Sequence, residues 1–388
     1  MPINKCNHKF RHNCFQGHPN YQKASHRILS HPLSSEPIYF ETRDFTTDQF
    51  FWPIETASVR ASSISSIAKL LRTSWNNCPS GEAILHCLRN IPETEVETLC
   101  NRMLLTQYQK LPPAVRNELE LSGMIIMDYH KDPYWGDPGQ VAVSKGQKEH
   151  DSYYHFVYFT VDLLSEHFRF TIYVLPRVEG FASRSYLEPA LQDIRQILTV
   201  RRVIFDGEFT TVDVLIFLEH EGIPWTARKS QTYNVRLALL GYKLDPMQFL
   251  HPRWHIVEIK GTRTQQSIFI HVTAYETNGI MKVITKPIWD NQSVDEARRV
   301  YKCRFSIDVG YKEKHAFQAV TSTQSWAVRL VLFLISVLLW NVWRLALAWN
   351  FIRDLGSQPE KVPLELSRNV ITHVLGEYLV VHGWRLRG

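Results

Sequence analysis

The hydrophobic period of the chain changes at residue 121, and that change constrains the fold more than any other feature. From 46 to 120 apolar residues recur at three-and-four spacing, the pattern of short helices. "SSISSIAKLLRTSW" shows it plainly. "CPSGEAILHCLRNIP" opens on a Ser cap and stops at Pro92, and "ETEVETLCNRMLLTQYQKLPP" carries Thr94 and Glu97 in capping-box register. After 121 the pattern is one of short runs rich in β-branched and aromatic residues. "GMIIMD", "YYHFVYFTVDLL" and "FRFTIYVLP" read as three strands. A helix over about 186–199 follows, then the strand "RRVIFD", the helix "TTVDVLIFLEHEG" and the strand "IPWTARK". The central segment is therefore α/β.

Three strands, helix, strand, helix, strand is the order of an RNase H-like core. In such a core the first and fourth strands are neighbours, which would bring Asp128 and Asp206 side by side although they are far apart in sequence. A third carboxylate from a later helix would complete a site for two Mg²⁺ ions, with Mn²⁺ as a substitute. Carboxylates suit such hard cations, and paired ions suit in-line displacement at phosphorus. The candidate helix is "SVDEARRVYKCRFSIDVGYKEKHAF", with Ser293 as cap and Glu296 at the capping-box position. Tyr301, Arg304 and Asp308 follow at offsets of three and four and share one face. Asp308 is the expected third acid and Arg304 a phosphate contact. Glu296 and Glu313 are the other candidates, but Glu296 is better explained as a cap and Glu313 lies off that face.

The stretch "SGMIIMDYHKDPYWGDPGQ" holds two more acids. Asp132 and Asp137 each precede a proline, the usual context of turn-forming aspartates. His130 reads as a loop histidine. Tyr134 and Trp135 would either stack on DNA bases or pack against the sheet.

The remaining segments frame this core. Residues 1–45 read as a weakly ordered extension whose Cys6, His8, His12 and Cys14 match no ordinary zinc spacing. The helices of 46–120 suit a small DNA-binding bundle and a structural bundle equally. The catalytic domain is expected over 121–325, with a β-rich insertion at about 229–285, and a C-terminal helical region over 326–388. Between Trp225 and Arg263 seven Lys or Arg stand against two acids. Arg228, Lys229, Arg236, Arg253 and Lys260 could track a DNA backbone, or simply form a solvated basic face. The net charge of +6 mildly favours a polyanionic partner. Six scattered cysteines without a C-x-x-C pair or secretory signal point to free thiols in a reducing cytosol. The uncharged run Leu330–Trp343 is short for a membrane span, and Arg329 and Arg344 close it off. A buried core helix is expected there.

Several of these motifs carry a family resemblance. "Y-x-x-R-x-x-x-D" at 301–308 is similar to the Tyr-Arg-Glu-Lys signature of prokaryotic insertion-sequence transposases, with Asp in the Glu position and His315, beside Lys314, in the Lys position. "IIMDYHKDPYWGD" resembles the first catalytic motif of a branch first described from halophilic archaea. "VIFDGEFTTVDVLIFLEHEGIPWTAR" resembles its second motif. "LPPAVRNELE" and the Arg-to-Asn-x-Trp helix at 329–343 fit as well, so the resemblance covers roughly 60–350. It implies a DDE transposase that cuts DNA at terminal inverted repeats and joins the freed 3′ ends to target DNA, acting as a dimer because two ends must be paired. It also implies Asp128, Asp206 and Asp308 as the catalytic, metal-holding acids. Tyr301, Arg304, Lys314 and His315 would be DNA contacts. A decayed or domesticated copy that binds DNA without cutting is the alternative, motivated by the shorter acid at 308.

Overall fold

The computed structural model describes residues 47–354 apart from 75–77, 141, 150, 179, 241–251, 262–264 and 278–279. The extension with its Cys/His cluster and the segment after 354 lie outside the described residues. The chain divides into two compact units, one drawn from both ends (Met1–Arg116 and Glu313–Gly388) and one between them (Asn117–Lys312).

The end-derived unit is helical. Its described elements are α1 (Thr47–Val59), α2 (Ile64–Ser74), α3 (Gly81–Arg89), α4 (Glu93–Gln109) and, from the far end of the chain, α11 (Trp326–Asp354). Ser80 caps α3 as expected, its Oγ accepting the Ala83 N–H at 3.1 Å. Helix α4 begins at Glu93, with Pro92 in the N-cap position. Helix α11 packs against α1, α3 and α4. The described helices at Thr47–Gln109 and Trp326–Asp354 thus belong to one unit. By length and composition Trp326–Arg344 would cross a membrane, but all of it is buried inside the protein. Its one interior amide is satisfied there: Asn341 Nδ2 donates to Gln107 Oε1 at 2.8 Å, and Gln107 Nε2 donates to the Leu338 carbonyl at 3.0 Å. A buried amide pair of this kind needs a protein partner, not lipid.

The middle unit is built on a nine-stranded mixed sheet. Its elements run α5 (Pro113–Ser122), which starts just before the unit boundary, then β1 (Met124–Tyr134), β2 (Val143–Glu149), β3 (Ser152–Leu164) and β4 (Arg169–Pro176). After these come α6 (Arg184–Arg195), β5 (Arg202–Phe205), α7 (Val212–His220), β6 (Trp225–Arg228), α8 (Tyr233–Ala238), β7 (His255–Lys260), β8 (Ser267–Thr277) and β9 (Ile280–Pro287). Two helices close the series, α9 (Val294–Cys303) and α10 (Phe305–Ala316). Strand order is β2-β3-β1-β5-β6-β9-β8-β7, with β4 also on β3. β1 and β4 each run antiparallel to β3, whereas β5 and β6 run parallel to β1. Near-continuous burial of β1, β3, β4, β5 and β6 is what a sheet covered on both faces requires.

Two expectations change. The first strand does not stop at Asp128; β1 pairs with β3 as far as Tyr134↔Tyr154. Asp132 and His130 are therefore buried strand residues and not loop positions. Pro133 is tolerated because β5 pairs only with Met124–Met127, which leaves β1 an open edge beyond them. In the expected β-rich segment, β9 pairs antiparallel with β6 (Ala227↔Thr285) and extends the same sheet. The long helix expected from Ser293 is two helices that meet at Arg304. Its capping box is present, with Ser293 and Glu296 reciprocally bonded. That bonding holds the Glu296 carboxyl below its usual range and commits it to the cap.

Candidate active site

The register of the sheet brings the two strand acids together. Met127 of β1 is the partner of Phe205 in β5, so the next residues, Asp128 and Asp206, stand side by side where the parallel pairing ends. Each carboxylate is fixed in the same way. Asp128 Oδ1 accepts the Tyr129 N–H at 2.9 Å, and Asp206 Oδ1 accepts the Gly207 N–H at 2.6 Å. Both Oδ2 atoms then meet one cation: Arg304 Nη2 lies 3.3 Å from Asp128 Oδ2 and 2.9 Å from Asp206 Oδ2. Arg304 and Asp128 are each 8% exposed, so solvent screens this cluster weakly.

Local sequence explains the stiffness of the pair. Asp206 caps the 3-10 turn Gly207–Phe209, whose Phe209 is fully buried. The Phe209 ring stacks on Tyr129 at 4.5 Å between centroids, so the residues following the two acids are packed on each other. Arg177 covers the Tyr129 ring at 4.4 Å, and burial pushes the Tyr129 phenol up to about 12.

Helix α10 reaches the same region of the sheet. Tyr311 Oη and Thr160 Oγ1 share a 2.6 Å hydrogen bond, and Thr160 is the β3 partner of Asp128. The Tyr311 ring also lies 4.6 Å from that of His130. Burial, and after it the charges of Asp128 and Asp162, raise the Tyr311 phenol well above its ordinary range. Asp308 lies in α10 between Arg304 and Tyr311 in sequence, but its side chain falls outside the described residues. Asp162 is committed elsewhere: Arg169 Nε and Nη2 donate to it at 2.8 and 2.5 Å, and Thr171 Oγ1 at 2.5 Å.

A cavity of about 260 Å³ opens beside Asp206. Gly207, Glu208, Ser230, Gln231 and Val283 line it together with three cations, Arg228, Lys229 and Lys282. Glu208 is itself shared with Lys131 at 3.7 Å and Arg177 at 3.5 Å, which leaves the cavity net basic. Lys229 Nζ donates to the Thr210 carbonyl at 2.9 Å, and burial lowers its ammonium to about 8.

Other expected contacts lie elsewhere. Tyr301 is 2% exposed and packs in a core cluster with Ile126, Ile204 and Ala297, so it offers no hydroxyl at the surface. Tyr134 is likewise buried, its ring 4.8 Å from Phe156, whereas Trp135 is exposed. Asp137 makes the expected turn, accepting the Gly139 N–H at 2.9 Å. Lys314 and His315 belong to the helical unit. Lys314 is fully buried with its ammonium 4.5 Å from the Trp340 ring, which corrects its reading as a surface phosphate contact. Glu313 Oε2 accepts the Trp340 Nε1–H at 2.9 Å, so this acid too is committed. His315 is exposed, its Nδ1 3.0 Å from Gln318 Oε1. Thr160, Tyr311 and Lys282 were not singled out from the sequence, although the seven-residue spacing of Arg304 and Tyr311 was available as a signal.

The fold is similar to that of a transposase. A piggyBac transposase, solved as a synaptic complex with hairpin DNA, superposes with a TM-score of 0.55 at 12% sequence identity, covering 96% of this chain and 81% of that one. No family model matches the chain, and no curated protein matches it.

Proposed function

We propose that the protein is a DDE-type DNA transposase with an RNase H-like catalytic core, of the insertion-sequence kind carrying a Tyr-Arg-Asp variant of the signature. The observation that carries this reading is the alignment of Asp128 and Asp206, with both Oδ2 atoms turned to a single positive group. Two adjacent carboxylates already sharing a cation are a donor set that fits Mg²⁺ or Mn²⁺. Asp128 and Asp206 would hold the metal, with Asp308 as the third acid. Bound metal supplies activation of the attacking oxygen and neutralises charge at phosphorus. The strand order, with β5 and β6 parallel to β1 and the antiparallel β3 and β4 on its other side, supports the RNase H-like reading. The similarity to a transposase fold supports DNA as the partner.

The chain's own groups then have assigned tasks. The Oδ1 bonds to Tyr129 and Gly207 hold both carboxylates in fixed orientation before substrate arrives, the preorganisation that catalysis at a charged centre needs. Arg228, Lys229 and Lys282 bind the DNA backbone next to Asp206, and Arg304 meets a phosphate oxygen through its planar fork. The enzyme acts as a homodimer on paired element ends among cytoplasmic, nucleoid-associated DNA.

Incubating the full chain with a labelled duplex carrying the element's own terminal inverted repeat, with Mg²⁺ or Mn²⁺ and with chelator, tests this. Metal-dependent nicking at the repeat end, lost in Asp128→Ala and Asp206→Ala while duplex binding persists, is the expected result. Nicking of equal rate in wild type and both variants contradicts it. The replacement of Glu by Asp308 favours a second reading, a copy that binds repeats but no longer cuts. Under that reading wild type is inert and Asp308→Glu restores nicking.

A further inference from the structure

We infer that Arg304 is the resident counter-ion of the acid pair, and that a DNA phosphate must draw it away before a divalent cation can enter, so that DNA and metal bind cooperatively. This rests on the reading of Asp128 and Asp206 as the metal-holding acids.

The oxygens decide it. Each Oδ1 accepts the backbone N–H of the following residue, and both Oδ2 atoms face the same cation. One guanidinium nitrogen takes both, at 3.3 and 2.9 Å. The three groups together carry one negative charge. The acid pair alone would carry two, so the guanidinium weakens its pull on a divalent cation in a place where water screens little, since Arg304 and Asp128 are nearly buried. Metal and guanidinium therefore compete for the same two oxygens.

Bound DNA brings Arg304 a substitute partner. The basic cavity is lined by Asp206 itself, so a backbone phosphate held by Arg228 and Lys282 arrives beside the acid that the guanidinium holds. Phosphate matches the planar Arg fork as well as carboxylate does. The position of Arg304 in the chain suits a side chain that changes partners. It is the single residue between α9 and α10, in αR conformation, with its N–H on the Tyr301 carbonyl at 3.0 Å. A change of side-chain rotamer moves the charge without unwinding either helix. An unloaded enzyme is thereby kept from holding metal away from DNA.

The test is Mn²⁺ binding to the full chain, read from the electron paramagnetic resonance of free Mn²⁺. It is run without DNA and with a random-sequence duplex that has no element end to cut. Arg304→Gln is expected to bind Mn²⁺ about tenfold more tightly than wild type without DNA, and Arg304→Lys to stay near wild type. The duplex is expected to tighten Mn²⁺ by about tenfold in wild type and far less in Arg304→Gln, the size of an ordinary coupling between sites. Binding by Arg304→Gln equal to or weaker than wild type overturns the inference. So does a wild-type affinity that the duplex leaves unchanged, a measurement that stands even if the variant fails to fold. Asp128→Asn separates the two levels of the account: if Mn²⁺ binding is the same in Asp128→Asn as in wild type, the acid pair is not the metal site and the metal-dependent function fails with it.

Discussion

Nη2 of Arg304 lies 2.9 Å from Oδ2 of Asp206, across 98 residues of sequence, and the same nitrogen reaches Asp128. The catalytic acids of the proposed enzyme are thus held by the residue that the family resemblance assigns to substrate phosphate. The arrangement links sheet register to chemistry: pairing of β1 with β5 aligns the acids, and the α9–α10 junction supplies their counter-charge.

A second buried ion pair in the same unit has a structural role. Arg169 and Asp162 have side chains 3% and 2% exposed, and both belong to the antiparallel pair β3–β4. Asp162→Ala removes the carboxylate from a buried guanidinium and should cost about 3–5 kcal/mol. Urea denaturation checks it. Replacing both partners by apolar residues should recover much of that loss, and a double variant as unstable as the single one would show that the pair itself carries the energy.

Arg228 is exposed at the mouth of the basic cavity. Arg228→Ala should weaken duplex binding about equally for all sequences and lower the slope of log affinity against log salt by roughly 1. Fluorescence anisotropy over a salt series measures both. An unchanged slope would remove Arg228 from the DNA path.

Lys229 gives a pH dependence whose sign can be worked out. Its ammonium is lowered from 10.5 to about 8 by burial. Above pH 10.5 the amine is neutral in folded and unfolded chains alike, and as pH falls the unfolded chain takes up its proton first. Stability from this group is therefore present above pH 10.5 and lost as pH falls through about 8, amounting to roughly 3 kcal/mol. Unfolding free energy of wild type minus that of Lys229→Met, followed from pH 7.5 to 10.5, should rise with pH. A flat difference contradicts the burial of the charge.

Much of the core was legible because its strands are short apolar runs bounded by acids, Gly and Pro. "GMIIMD" and "RRVIFD" place Asp128 and Asp206 one residue past the last paired positions, Met127 and Phe205. The buried helix at Trp326–Arg344 was legible from its flanking arginines. What failed depended on distant partners. Strand β2, "VSKGQKE", is polar and becomes a strand only by pairing with the far end of β3. Asp132-Pro133 reads as a turn until β3 is known to run alongside. Lys314 reads as a surface cation until Trp340 covers its ammonium. The bond from Arg304 to both acids has no local signal at all, since spacing shows a shared helix face but not what that face meets.

The most direct measurement of the central claim, that Asp128 and Asp206 hold the divalent cation, is metal-directed cleavage of the protein itself. With Fe²⁺ in place of Mg²⁺, in the presence of duplex DNA, ascorbate and peroxide cut the backbone next to bound iron, and mass spectrometry locates the cuts. Cuts clustered at residues near 128 and 206, suppressed by excess Mg²⁺ and absent in Asp206→Asn, are the predicted result. Cuts confined to other parts of the chain, such as the Cys6–Cys14 segment, or unchanged in Asp206→Asn, would contradict it.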